Sequence, residues 1–144
     1  MPLSQGKQSK YITTMAKTTV TLQVADYVDR EILAVDYAFD QETDIEGQLA
    51  GIPRGGYINI RVKALNDGNN QLLAWLLDPN LAKDVKIVFQ KSTDGSDMKT
   101  VECTGCYCVD FKECWEEGQQ HYEEIRITCQ NIKNGPVQYE NEWA

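Results

Sequence analysis

The sequence predicts a mainly β protein: an antiparallel β-barrel or sandwich of about seven or eight strands with one short α-helix. Three observations carry this. Apolar residues alternate with polar ones in segment after segment, the period of a half-buried strand. Turn signals rich in Gly, Asp and Asn separate those segments at short intervals. Only one stretch, NDGNNQLLAWLLDPN, has the length and flanks of a helix.

TTVTLQV sets Val20, Leu22 and Val24 on one face. After a short turn over Tyr27 to Arg30, EILAVDYAFD sets Leu33, Val35, Tyr37 and Phe39 on one face, with Ile32, Ala34 and Ala38 on the other. It therefore reads as the more buried partner of a hairpin. YINIRVKA alternates Ile58, Ile60, Val62 and Ala64 with Tyr57, Asn59, Arg61 and Lys63. In the helix, Asn66, Asp67, Asn69 and Asn70 are N-cap candidates and Pro79 is the stop. Its residues Leu72, Leu73, Trp75, Leu76 and Leu77 are apolar over most of the circumference, which calls for cover on a sheet or at a barrel mouth. VKIVFQK puts Val85, Ile87 and Phe89 on one face, and the turn STDGSD follows. KTVEC comes next, a break falls near Gly105, and CYCVDFKECW places Tyr107, Val109 and Phe111 together. The last long strand, YEEIRITCQNI, turns Ile125, Ile127 and Cys129 inward.

At 144 residues the chain reads as one domain, 17–144, behind a disordered polar leader, 1–16. The net charge is −8, and because Lys7 and Lys10 lie in the leader, residues 15–144 carry 12 basic and 22 acidic groups, or −10. An acidic body repels phosphate, so nucleic acid is excluded as a partner class. No apolar run approaches the length of a membrane span, and the first residues lack the apolar segment of a Sec-type signal peptide.

The candidate chemistry is sparse. Cys103-x-x-Cys106-x-Cys108, with Cys114 nearby, has a metal-like spacing, but no second CxxC follows. Buried thiols behave as small hydrophobes, so these are expected to be structural. An odd count of five cysteines in a chain of this size points to reduced thiols. His121 is the only histidine and has no triad partners. Glu116, Glu117, Glu123 and Glu124 read as a solvated acidic patch around a turn. No catalytic, cofactor or metal site is expected, and the chain is not expected to be an enzyme. A small-molecule-binding β-barrel with a helical lid is the alternative.

One segment breaks the pattern of tight turns: QETDIEGQLAGIPRGG, beginning at Gln41. A long connection without a period is uncommon in a small domain and usually has a job. Its glycines permit bends, Pro53 stiffens its return, and Leu49 and Ile52 suit a docking tip.

Taken in order, the hairpin ending in YAFDQETD, the PRGG loop, LLAWLLDPNLAKDVKIVF, YCVDFKE, the strand ending in TC and the final Asn141-Glu142-Trp143 together resemble the Hcp (TssD) tube proteins of bacterial type VI secretion systems. The resemblance spans about residues 17–144. It implies a β-barrel protomer flanked by a helix, six of which form a ring, with rings stacking into the inner tube of a contractile machine. It implies partners: further copies of itself, spike, sheath and baseplate proteins, and effector cargo in the lumen, with no membrane insertion. It also implies cytoplasmic assembly followed by export through the machine. The loop would then be the contact between rings, with Thr43, Asp44, Gly47, Leu49, Ile52, Pro53, Arg54, Gly55 and Gly56 at or near the contact.

Copies of so acidic a chain repel one another, and salt screens that repulsion. Ring stability is therefore expected to rise with ionic strength, and sedimentation velocity across a salt series is the check.

Overall fold

A computed structural model describes residues 18–40, 54–91 and 94–140, with the side chains of residues 40 and 54–56 left aside. Its elements are β1 (Thr18–Val24), β2 (Arg30–Asp40), β3 (Arg54–Lys63), α1 (Gln71–Leu77), β4 (Lys83–Lys91), β5 (Asp97–Cys114), β6 (Tyr122–Asn134) and β7 (Val137–Glu140). The sheet order is β3-β2-β1-β4-β5-β6-β7, and β3 also pairs with β6. All pairings are antiparallel. That extra pairing closes six strands into a barrel, and β7 hangs on outside it. The strand β6 divides one edge between two partners: residues 122–127 take β3, and residues 131–134 take β7.

The interior is packed with branched aliphatic side chains at the predicted positions of β1, β3, β4 and β6, among them Leu22, Ile58, Ile60, Ile87 and Ile127, all at or near zero exposure. A small barrel filled this way holds side chains rather than ligand. Two surface grooves among the described residues, of about 320 and 390 Å³, are lined largely by charged and polar groups, with Ile60, Phe111 and Ile125 also bordering the first.

Helix α1 closes one end. Leu72 and Trp75 are buried, and Trp75 Nε1 donates to Leu81 O at 2.8 Å. Asn70 occupies the N-cap without a side-chain bond. Asn69 does the capping instead, its Oδ1 accepting from Gln71 N at 3.0 Å. The full cover expected for the apolar helix is not found: Leu77 is 71% exposed.

Two strands depart from the alternation read in the sequence, for the same reason. In β2 the partner register runs Ile32↔Val62 and then Ala34↔Arg61, which leaves Leu33 as an extra residue. Such a bulge reverses which side chains face in. Ile32 is buried ahead of it and Val35 and Tyr37 pack on the core beyond it, while Leu33 is exposed. The strand β2 is consequently less buried than β1, the opposite of the expectation. In β5 the register Cys108↔Ile127 then Asp110↔Arg126 makes Val109 the extra residue. Tyr107 and Val109 therefore do not share a face with Phe111, which packs on the core.

A third reversal sits at Gly105. The two segments read around it are one 18-residue strand. Cys103 and Cys106 are three apart, yet both are buried, as are Cys129 and Ile132 opposite them. Gly105 has φ +63°, and a Cβ there would meet Gln130 Cβ at 3.0 Å. Gly105→Ala is expected to cost about 1–3 kcal/mol from left-handed strain and crowding. Gly118→Ala, at a similar φ with open space around it, should cost only the strain. Urea unfolding of the two variants side by side is the check.

Candidate functional site

The surface of the barrel carries its notable residues at two poles. At the helix pole, β2 and β6 begin and β3 ends, and one buried ion pair joins all three. Arg30 Nη2 donates to Glu123 Oε2 at 2.9 Å and to Lys63 O at 3.0 Å, with Arg30 2% and Glu123 5% exposed. Arg30 Nε is buried without a hydrogen-bond partner. Glu123 thus does not belong to a solvated acidic patch. It points inward with Ile125 and Ile127, and strand parity in the sequence carried that signal. Glu124, one residue on, faces outward and accepts from Arg61 Nε at 2.8 Å. Around this corner Val28, Leu77 and Trp115 stand 50%, 71% and 69% exposed. His121 Nε2 lies 2.7 Å from Glu113 Oε2 across the β5–β6 hairpin, a surface pair.

At the opposite pole, β2 ends and β3 begins. Arg54 and Gly55 open β3 opposite Asp40 and Phe39, and Gly56 follows. Thr43, Asp44, Gly47, Leu49, Ile52 and Pro53 lie outside the described residues, as do the leader and Asn141 to Trp143. The base of the connection is aromatic. Phe39 packs on Tyr139 of β7 with centroids 4.8 Å apart and meets Tyr37 edge-on at 6.3 Å. Tyr37 Oη accepts from Asn134 Nδ2 at 2.8 Å. Phe39 and Val137 remain 42% and 69% exposed. Along this flank, among the described residues, β2 pairs with β1 at Glu31 and Arg30. Among the described residues, therefore, residues 33–40 present an unpaired strand edge beside exposed Leu33 and Phe39.

The outer face of β2-β3-β6-β5 is polar. Asp36, Asn59, Arg126 and Asp110 are partners in register across the four strands. Asn59 Nδ2 donates to Asp36 Oδ1 and Arg126 Nε to Asn59 Oδ1, both at 2.9 Å. Arg61 lies over the Tyr122 ring at 4.3 Å and Arg126 over Tyr57 at 5.1 Å.

The thiols divide differently from their order in the sequence. Cys103, Cys106 and Cys129 form a buried trio with all Sγ atoms within 4.8 Å of one another. Cys114 is not part of it, and Cys108 points in farther along β5, its Sγ 3.5 Å from Asp110 O. Burial pushes the Cys108 thiol up to about 11. Within the trio, the bonds that Cys106 makes to Cys103 and Cys129 push its own thiol far up. No helix among the described residues is long and apolar enough to cross a membrane.

The family model of the hemolysin coregulated protein Hcp (TssD) matches residues 16–144. The chain belongs to the Hcp family. No curated protein matches it. Among solved structures it is similar to Hcp1 from Flavobacterium johnsoniae, with 29% identity and a TM-score of 0.78 over 85% of this chain and 99% of that one. The secreted protein Hcp3 from Pseudomonas aeruginosa shares the fold at 14% identity and a TM-score of 0.62, over 89% and 99% of the two chains. So does a chain of the sheath/tube terminator of an extracellular contractile injection system, PVC, at 15% identity and a TM-score of 0.58, over 81% and 92%. Hcp membership bears out the resemblance read in the sequence, and it places the chain among type VI secretion tube proteins, a structural family rather than one of enzymes.

The helix-pole ion pair sets a stability test. Glu123→Ala strands a buried guanidinium and is expected to cost about 3–5 kcal/mol. Glu124→Ala, at the solvent-screened pair with Arg61, should cost far less. Replacing both Arg30 and Glu123 by Met and Leu should recover most of the loss. Denaturant midpoints of the four proteins decide it.

Proposed function

We propose that this chain is the ring-forming tube subunit of a type VI secretion apparatus. Six copies close a ring, rings stack head to tail, and the tube leaves the cell with effectors in its lumen. The family match over nearly the whole chain carries this reading. The surface supports it. Leu77, Trp115 and Val28 at one pole and Phe39 and Val137 at the other are large apolar groups left in water, which a stack would cover. Two unlike poles suit heterologous contacts, which repeat along an axis, and a rotation that closes gives a ring. The edge of β2 left unpaired among the described residues is the kind of feature that soluble monomers avoid and assemblies use.

In this assignment the connection from Thr43 to Pro53 reaches the next ring, with Arg54, Gly55 and Gly56 anchoring its return in β3. Spike, sheath and baseplate proteins are the remaining partners. Assembly takes place in the bacterial cytoplasm, and export needs no signal peptide.

Size-exclusion chromatography with light scattering is the first test. The expected mass is that of six copies of the 16.3 kDa chain, about 98 kDa. Leu33→Asp places a charge beside the β2 edge and should yield folded monomers. Deleting residues 47–51 should leave rings intact and abolish stacking and secretion. A wild-type chain that stays monomeric at high concentration and high salt would sink the proposal. If the deletion unfolds the protomer, the loop belongs to the core and its assignment to stacking fails.

A further inference from the structure

The thiol trio lies in the barrel interior, and its geometry is not that of inert packing alone. The Gly105 reversal brings Cys103 and Cys106 of β5 to the same side, against Cys129 of β6. All three are 0–1% exposed. Cys106 and Cys129 are direct partners in the antiparallel register. Their sulfurs lie 2.9 Å apart, with the Cys106 S–H directed at Cys129 Sγ.

Partners facing each other on adjacent strands have Cα atoms roughly 4.5–5.5 Å apart, inside the range a disulfide accepts. Bringing the sulfurs to bonding distance, about 2.05 Å, needs under an ångström of approach and no change of register. A metal centre fits less well. Tetrahedral zinc takes four ligands, with thiolates about 3.8 Å apart, whereas the trio offers three and holds one pair much closer.

We propose that Cys106 and Cys129 are a disulfide-forming site, open in reducing surroundings and closed in oxidising ones. The oxidant is a disulfide of a small thiol. The thiolate of one cysteine attacks it, releases one small thiol and forms a mixed disulfide. The thiolate of the other cysteine displaces the second small thiol. Two S–H bonds are lost, one S–S bond is gained, and the two protons and two electrons end on the two small thiols. Because the sulfurs are buried, the exchange needs β5 and β6 to part, so it runs during folding or local opening. Only the physiological setting rests on the tube reading: a chain assembled in a reducing cytoplasm and expelled into oxidising surroundings would staple β5 to β6 after export.

The test uses the full chain, refolded from denaturant in chelator-containing mixtures of oxidised and reduced glutathione. Samples are acid-quenched, the remaining thiols are alkylated, and the links are mapped by peptide mass. In oxidising buffer the refolded chain should keep three free thiols of its five. It should show one peptide linking Cys106 to Cys129, and its Tm should rise by several degrees and fall back with dithiothreitol. Cys114→Ser should keep the link, and Cys129→Val should lose it. Five free thiols across the oxidising range would overturn the proposal. So would a link made instead through Cys103 or Cys108, a chain that refolds only under reduction, or a stoichiometric thiophilic metal on the purified protein. Ring formation is read separately by light scattering, so failure here and failure of the tube reading are distinguishable.

Discussion

The pairing of β3 with β6 is the constraint on which the molecule depends. Without it the strands form an open, curled sheet with two bare edges. With it, six strands share one interior, and Leu22, Ile58, Ile60, Ile87 and Ile127 can all be buried at once. At its helix-pole end the seam is held by Arg30 and Glu123, which bring the start of β2, the end of β3 and the start of β6 to one point. A hydrophobic substitute there would pack as well. The ion pair fixes one register, since a slip of one residue on β6 would turn Glu123 outward and leave Arg30 alone in the core.

The same seam organises the surface. Because residues 122–127 of β6 are used for closure, β7 can add only beyond them, beside the end of β2. That places Tyr139 against Phe39 and builds the aromatic base under the β2–β3 connection. At the other pole α1 seals the barrel with Trp75 and Leu72 and leaves Leu77 in water. The division into a packed interior, a polar four-stranded face and two apolar poles follows from how one strand distributes its hydrogen bonds.

What the sequence made legible was the alternation, wherever the strand is regular. The inward residues of β1, β3 and β6, with Val85 and Ile87 of β4, are those of the period-two reading, while closure into a barrel rather than a sandwich needed the pairing of β3 with β6. The failures sit at Leu33, Gly105 and Val109. A single inserted residue or a positive φ reverses the parity of everything beyond it, and no residue type announces a bulge at a leucine or a valine. Glu123 was legible by parity but was masked by three neighbouring glutamates. The thiol trio was not legible: Cys114 is near in sequence and absent from it, while Cys129 enters only through the register of β5 with β6. Of the proposed contact residues, the order of motifs located the loop, while the exposed edge and the aromatic base needed the pairing of β2 and β7.

The long sequence separation of the closing pair also bears on how the chain folds. Residues 58–63 must find residues 122–127, a contact of long sequence separation. Such closures are slow, because loop entropy is lost before any burial offsets it. Until it happens, β3 and β6 each expose a free hydrogen-bonding edge at the same time. Two half-folded copies are then complementary to one another in the way each is to itself, so exchange of strands between chains competes with closure within one. The crowding of copies that favours a tube also raises that competition while the protomers are still being made.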